Sequence, residues 1–255
     1  SHGDNSLQIT AIGNLNNVND MRFGGGGGPR WRRNNGLTSK KETGISFATE
    51  SKKFEIGGSL QYSYNDNDAY SIGQVENFLP SGNSSFSNSN SGSRGKNKNV
   101  GGNLRMEWRP DSLTTFFLRG RFSWGDSYSS SASQSATFNS DPYAVVLDPN
   151  LYLDFAGASN EALDAIRVNA SNNGSLSDGN SLSANMNMQL TRKLNNRGRN
   201  VTLRLIGSYG DNESERFSNN MTRYYTNGIL MTEDTIRRYI STPTNNYNLG
   251  AEVSY

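Results

Sequence analysis

The chain has 255 residues, of which 33% are hydrophobic and 19% charged, and its formal net charge is only +2. It contains no cysteine, which excludes a disulfide framework and a thiolate metal site. The 12 tyrosines, 11 phenylalanines and 3 tryptophans are too plentiful and too regularly placed for a disordered chain. No run approaches the roughly 20 apolar residues of a transmembrane helix.

One pattern repeats along the chain: a strand with apolar side chains at every second position, a short polar turn, a second such strand, and a long polar loop. In the clearest copy, residues 54–64, Phe54, Ile56, Leu60 and Tyr62 alternate with polar residues or glycine. Because successive side chains of a strand point to opposite faces, this segment has one apolar and one polar face. The predicted strands, in chain order, cover residues 7–12, 41–51, 54–64, 99–108, 115–124, 182–190, 201–209 and 247–255.

The predicted connections differ in length at the two ends of these strands. Tight turns are expected at residues 52–53, 109–112 and 195–198, where Pro110 presets the backbone and Asp111 can bond its own main chain. The other connections are predicted as long polar loops, with a short helix at 160–169 in the longest of them; these loops cover residues 14–39, 65–98, 125–180 and 210–246. A soluble sandwich has short connections at both ends, so long loops at one end only argue against it.

These features together predict an all-β, antiparallel up-and-down transmembrane β-barrel fragment of about eight strands, with long extracellular loops. Most of the predicted strands are near the roughly 9–11 residues that a tilted membrane strand needs. Short turns on the periplasmic side and longer loops outside are typical of outer-membrane barrels. Residues 1–255 are interpreted as one partial barrel domain.

The charged side chains of the clear strands share a face with serine, threonine, asparagine and glycine. None lies on the apolar face, where an arginine at the middle of a bilayer would cost about 2–4 kcal/mol. We therefore predict that five residues face the barrel lumen: Arg105, Glu107, Arg119, Arg121 and Arg204. Glu107 could form a ladder of ion pairs with Arg105, Arg119 and Arg121 on neighbouring strands, or this group could contact a plug domain or a substrate.

Other motifs favour no catalytic chemistry. The glycine run at residues 24–28 lacks the Lys-Ser/Thr ending of a phosphate-binding loop and is followed by Pro29, so it is interpreted as a flexible loop. His2 is the only histidine, so neither zinc ligation nor a Ser-His nucleophilic pair is available. The acids predicted in loops match no EF-hand pattern and are interpreted as solvated: Asp148, Asp154, Asp211, Glu213 and Glu215. The sequence predicts no enzyme, no cofactor and no nucleic-acid partner.

Three stretches also resemble a known family. Residues 7–20 read LQITAIGNLNNVND and lead into Phe23 and the glycine run, residues 106–112 read MEWRPDS, and residues 248–255 read NLGAEVSY. Together they resemble the outer-membrane β-barrel region of TonB-dependent receptor-like proteins of Bacteroidetes, over nearly the whole chain.

This resemblance implies a full-length protein with a signal peptide, often an immunoglobulin-like or carboxypeptidase-regulatory-like module, a plug domain and a barrel of about 22 strands. The chain would then be a wall segment in the cell outer membrane. Its implied partners are outer-membrane lipid, TonB and the plug domain through the full-length protein, and an unknown small-molecule or oligomeric ligand. The first four residues show no leader, so we expect either that it was removed or that the chain begins inside a longer protein.

Two alternative functions stay open. A free-standing small outer-membrane barrel, acting as a passive pore or adhesin, is favoured by the last strand, in which apolar and aromatic residues alternate up to Tyr255. A secreted adhesin built as a β-solenoid is disfavoured because the strands recur with no fixed period.

Overall fold

The computed structural model describes residues 6–17, 35–78, 84–195 and 198–255, so His2 and the glycine run lie outside the described residues. These residues form one antiparallel sheet whose strands are β1 (Ser6–Asn17), β2 (Asn35–Glu50), β3 (Phe54–Phe78), β4 (Ser84–Trp108), β5 (Thr114–Phe138), β6 (Arg167–Lys193), β7 (Asn200–Thr226), β8 (Ile229–Ser241) and β9 (Thr244–Ser254). Between β5 and β6 lie two 3-10 turns (Pro142–Ala144 and Pro149–Tyr152) and one short helix, α1 (Glu161–Ile166). Within these ranges, no helix is long and apolar enough to cross a membrane.

The strands follow an up-and-down order, because each of β1 to β7 pairs with the strand that follows it. β8 pairs with the second half of β7 and β9 with the first half, in the same register. The N–H of Thr242 donates to the carbonyl of Ser214 at 2.8 Å, so pairing continues across the break between β8 and β9. β8 and β9 therefore fill one strand position, and the prediction of an all-β up-and-down sheet of about eight strands is confirmed.

Pro243 explains why this eighth position is interrupted. Thr242 directs its N–H toward β7, and the backbone groups of successive strand residues point to opposite sides. The position that lacks an N–H therefore faces away from β7, toward the free edge, where proline is tolerated in sheets. Within the described residues the sheet is not closed, since β1 and the eighth position each pair on one side only.

The predicted extent of all four long loops was wrong; in the first of them, residues 14–17 and 35–39 belong to β1 and β2. Residues 65–78 and 84–98 continue β3 and β4, residues 125–138 and 167–180 continue β5 and β6, and most of 210–246 belongs to β7 and β8. The five strands β3 to β7 therefore have 25–27 residues, which corresponds to roughly 80–90 Å. Serine, asparagine and glycine do not favour strands by themselves. Here they pair across strands, as in the hydroxyl contacts Ser71–Ser91 at 2.7 Å and Ser131–Ser175 at 2.8 Å.

The turns at the short end agree with the predictions where they are described. The carboxylate of Asp111 accepts hydrogen bonds from the backbone N–H groups of Leu113 at 2.8 Å and Thr114 at 2.7 Å. The bond from the Leu113 N–H is the main cause that holds the pKa of Asp111 below its usual value. At the opposite end, Asn227 and Gly228 have φ of 52° and 79° and form a two-residue turn between β7 and β8. This backbone is that of a type I′ hairpin, for which Asn-Gly is strongly preferred.

Residues 139–166, here called the lobe, carry the main apolar core of the described residues. Its centre is formed by Phe138, Leu153 and Leu163, each at most 1% exposed. The helix predicted at 160–169 is present but shorter, as α1. Asn160 begins it, because its side-chain oxygen accepts a hydrogen bond from the N–H of Leu163 at 3.1 Å.

Candidate functional site

The strand register assigns every side chain to one of two faces of the sheet. Paired residues of antiparallel strands lie on the same face, so the assignment carries from strand to strand. The apolar face is defined by one row of directly paired residues: Ile9, Phe47, Gly58, Leu104, Gly120, Met186, Gly207 and Leu249. The opposite side is called the polar face.

An apolar band crosses the whole sheet on the apolar face, at the end where the turns are short. On β4 it extends from Val100 to Trp108, and on β5 from Phe116 to Trp124. On this face the four rows from Trp108 to Gly102 of β4 contain no aspartate, glutamate, lysine or arginine in any described strand from β1 to β9. The fifth row, at Val100 and Trp124, contains one acid, Asp211 on β7. The band is one continuous apolar surface, nine residues high on the central strands.

No part of the described chain covers this band. Ile9 is 66% exposed, Leu60 50% and Leu249 81%, although all three point to the same side of the sheet. Soluble monomers rarely expose contiguous apolar patches larger than a few hundred Å². The band therefore requires an apolar environment outside the described chain.

Charged residues border the band on the same face. Lys98 donates to Asp126 at 3.2 Å, and Arg94 forms a two-bond contact with Asp66 at 2.9 and 3.2 Å. The hydrogen bond from Arg94 is the largest influence that holds the pKa of Asp66 below its usual value. The apolar surface thus changes to a charged one within two residues along β4 and β5 and within four residues along β3.

All five residues predicted to face the lumen lie on the polar face. Arg105 is directly opposite Arg119, and Arg121 follows two residues later on the same face of β5. The ladder of ion pairs considered for Glu107 with Arg105, Arg119 and Arg121 does not form. Glu107 instead contacts Arg109 of the turn, and Arg204 lies 4.0 Å from Glu252 on β9; neither partner was identified from the sequence.

Phe117 organises two of these arginines. The guanidinium carbons of Arg105 and Arg119 each lie 5.7 Å from the centre of its ring, within the range of a cation–π contact. Among the residues that the structure describes, Arg105, Arg119 and Arg121 have no acidic partner within 4.0 Å. Three cationic side chains are therefore grouped on the polar face without an ion pair.

Farther from the short turns, the polar face of β3 to β6 changes character. Its side chains from Gln61 to Asn77 and along the paired parts of β4, β5 and β6 are serine, asparagine, threonine, glutamine and glycine, apart from Ala69 and Val75. A shallow depression of about 260 Å³ crosses β4 to β7 there, and residues lining it include Asn97, Asn99, Ser127, Ser181, Asn212 and Ser214. The polar-face side chains of β3 to β6 in this region offer hydrogen bonds without charge, whereas Asp126 and Glu213, which also line the depression, belong to the apolar face.

The lobe packs on the same side as the apolar band. Phe138 of its core shares the face of Trp108 through the β4–β5 register. Asn88, also on that face, donates a hydrogen bond to the hydroxyl of Tyr143 at 3.0 Å. The guanidinium of Arg223 lies 4.3 Å from the ring centre of Phe155, and the hydrogen bond to Glu233 raises the pKa of Arg223. The lobe therefore leaves the polar face uncovered.

The acids predicted to be solvated in loops fall into two groups. Asp211, Glu213 and Glu215 lie within β7, so their placement in a loop was wrong. Asp148 and Asp154 do lie in the lobe, where their carboxylates accept backbone N–H groups at 3.0 and 3.1 Å. Throughout the described ranges, no three acidic or histidine side chains are grouped closely enough to hold a metal ion.

Comparisons with known proteins identify no family. No family model matches the chain, and no curated protein matches it. Among solved structures, the crystal structure of Pseudomonas aeruginosa OccK8 (OprE) aligns over 99% of this chain and 98% of that one, with 7% sequence identity and a TM-score of 0.11. A TM-score this low carries no argument about the arrangement of the strands or about function.

Proposed function

We propose that the chain is a wall segment of a TonB-dependent outer-membrane receptor that takes up a scarce solute. The observation that carries the membrane part of this proposal is the uncovered apolar band, which is continuous across eight strand positions and carries no charged residue in its four rows nearest the short turns. A lipid bilayer supplies the apolar environment that the band requires. The polar face then lines the lumen, and Arg105, Glu107, Arg119, Arg121 and Arg204 point into it.

The height of the band fits an outer membrane. From Phe116 to Trp124 there are eight residue steps, about 27 Å along the strand at 3.4 Å per residue. A tilt of 35–45° reduces this to roughly 20 Å, close to the apolar height of about 25 Å in outer-membrane barrels. Aromatic residues lie at both borders, as an interfacial girdle requires: Phe54, Trp108 and Phe116 at one, and Tyr62, Trp124, Tyr209 and Tyr247 at the other.

The open edges favour a segment of a larger barrel over a small free-standing one. β1 and the eighth strand position present unpaired backbone groups, which would bind further strands of the same barrel. A closed barrel of eight strands fills its interior with side chains. The polar face here is dominated by serine, asparagine and glycine, which would fill such an interior poorly. A secreted adhesin would leave the apolar band in water.

The TonB-dependent part of the proposal is supported by the resemblance of residues 7–20, 106–112 and 248–255. The plug domain and the contact with TonB would then belong to other parts of the full-length protein. The ligand would enter between the long strands that rise above the membrane, along a lumen lined by hydroxyl and amide groups.

Membrane fractionation of the full-length protein tests the location. We expect it in the outer-membrane fraction, resistant to salt and alkaline washing and extracted only by detergent. Release by salt alone would contradict the proposal. Transport is tested separately by solute uptake in cells treated with a proton uncoupler. Loss of uptake is expected for an energised importer, whereas unchanged uptake would favour the passive pore.

A further inference from the structure

The three arginines without ion pairs form a feature that lumen lining alone does not explain. Arg105 and Arg119 are directly opposite one another, and like charges in this arrangement destabilise a sheet. Each guanidinium has five N–H donors in a planar fork that matches a carboxylate or a phosphate. Placing a third arginine, Arg121, on the same face concentrates this capacity at one place.

We propose that Arg105, Arg119 and Arg121 form a binding site for the carboxylate or phosphate groups of an anionic solute. This rests on the proposed function, because it takes the polar face as the lumen, and it names the class of solute. The guanidinium carbons of Arg105 and Arg119 each lie 5.7 Å from the ring centre of Phe117. These contacts limit the conformational freedom of both side chains before an anion binds. A preorganised pair loses less entropy on binding.

The neighbouring acids do not neutralise this cluster. Glu107 is bound to Arg109. Glu55 is directly opposite Glu107 and, within the described residues, forms no ion pair of its own. The patch therefore keeps a positive excess that attracts an anion.

The path to the cluster favours a small solute over a protein segment. On β3 to β6, the polar face between the arginines and the far end of the sheet carries no acid that would repel an anion. A protein segment seated there would need apolar contacts, because the core of a protein interface is depleted of charge and enriched in aromatic and apolar area. This part of the face offers only Ala69 and Val75, and the ring of Phe117 lies on the other side of the arginines, toward the short turns.

Isothermal titration of the full-length protein in detergent with citrate, and with sucrose as a neutral probe, tests the site. We expect citrate to bind and sucrose not to bind. Arg119→Gln and Arg121→Gln should each weaken the affinity for citrate about tenfold, since a charge-assisted bidentate contact is lost. The affinity of Arg119→Lys should lie between that of these variants and that of the wild type. Lys96→Gln, on the opposite face of β4, is the matched control and should leave the affinity unchanged.

The outcomes separate this inference from the proposed function. Absence of citrate binding by a protein that fractionates with the outer membrane would overturn the anion site and leave the barrel proposal standing. Binding that is insensitive to all three arginine variants would also overturn it. If citrate does not bind and the three arginines are not modified by phenylglyoxal, a protein segment covers them and the inference fails. Circular dichroism confirms that each variant keeps its strand content.

Discussion

A charge placed on each face of the same strand gives the sharpest test of the assignment of the faces. Leu60 and Gln61 are adjacent on β3 and point to opposite sides of the sheet. Leu60 lies inside the apolar band, 50% exposed, opposite Ile45 and Gly102. Gln61 is flanked across the strands by two glycines, Gly44 and Gly101, so an arginine there has room and meets no charge.

We expect Leu60→Arg to destabilise the folded barrel by about 1–3 kcal/mol, because an arginine costs about 2–4 kcal/mol at the middle of a bilayer and about 0–1 kcal/mol near its interfaces, and Leu60 lies one row inside the border at Tyr62. At 1.4 kcal/mol per tenfold change, this corresponds to a factor between about 5 and about 140 in the folding equilibrium. Gln61→Arg should stay within about 0.5 kcal/mol of the wild type, as surface substitutions do. Urea titrations of folding into lipid vesicles, with the full-length protein, measure both. Equal effects, or a larger effect at Gln61, would refute the assignment.

Three further predictions concern the part of the chain outside the band. Phe138→Ala removes the centre of the lobe core, so we expect a local loss of about 3–5 kcal/mol, seen as rapid proteolysis of the lobe with unchanged amide exchange in the sheet; an intact lobe would contradict this. Gly228→Ala should destabilise the β7–β8 turn by about 1–2 kcal/mol because the φ of Gly228 is positive, and faster amide exchange at that turn would report the loss. Gly95→Ala is the control and should leave amide exchange unchanged, because an added Cβ there meets nothing within 4 Å. The pKa of Asp66 is lowered by Arg94, so the stability difference between wild type and Asp66→Asn should be present at neutral pH and vanish as the pH falls below about 4; a difference that persists at pH 2 would exclude this pairing.

The half of the sheet that carries the apolar band is predictable because two independent signals agree there. Leucine, phenylalanine, methionine and tryptophan recur at every second position, and the period of a strand is two, so a single clear residue fixes the face of its neighbours. The same rule placed all five lumen-facing candidates on one face without knowledge of the pairing. The turn at Pro110 and Asp111 was equally readable, since both residues act locally.

The half of the sheet farther from the short turns was not predictable, because its residue types do not by themselves favour a strand. Its serines and asparagines are poor strand formers, and they are held in strands by pairing with neighbouring strands, which brings hydroxyls such as those of Ser135 and Ser171 to 2.8 Å of each other across β5 and β6. Those contacts depend on register, which no single segment contains. The turn at Asn227 and Gly228 did carry a local signal and was overlooked because the surrounding residues were interpreted as loop.

The partners of the site residues depend on register too. Arg105 faces Arg119 because the β4–β5 turn sets which residues of the two strands are paired. A register shifted by two residues would keep both side chains on the polar face but would place Glu107 opposite Arg119. An ion pair between Glu107 and Arg119, as considered from the sequence, needs this shifted register, whereas the structure has Arg105 opposite Arg119.

Site-directed spin labelling along β4 tests directly whether the apolar band faces lipid. Because the chain contains no cysteine, single-cysteine variants are simple to prepare. Each position from Val100 to Trp108 in the full-length protein would carry a nitroxide in lipid vesicles, and its collisions with oxygen and with a water-soluble nickel chelate would be measured. If the band faces lipid, we expect the collision rates to alternate with a period of two, with even positions exposed to oxygen in the lipid and odd positions exposed to the chelate. Uniform exposure to the chelate, or the opposite phase, would contradict a membrane-facing band.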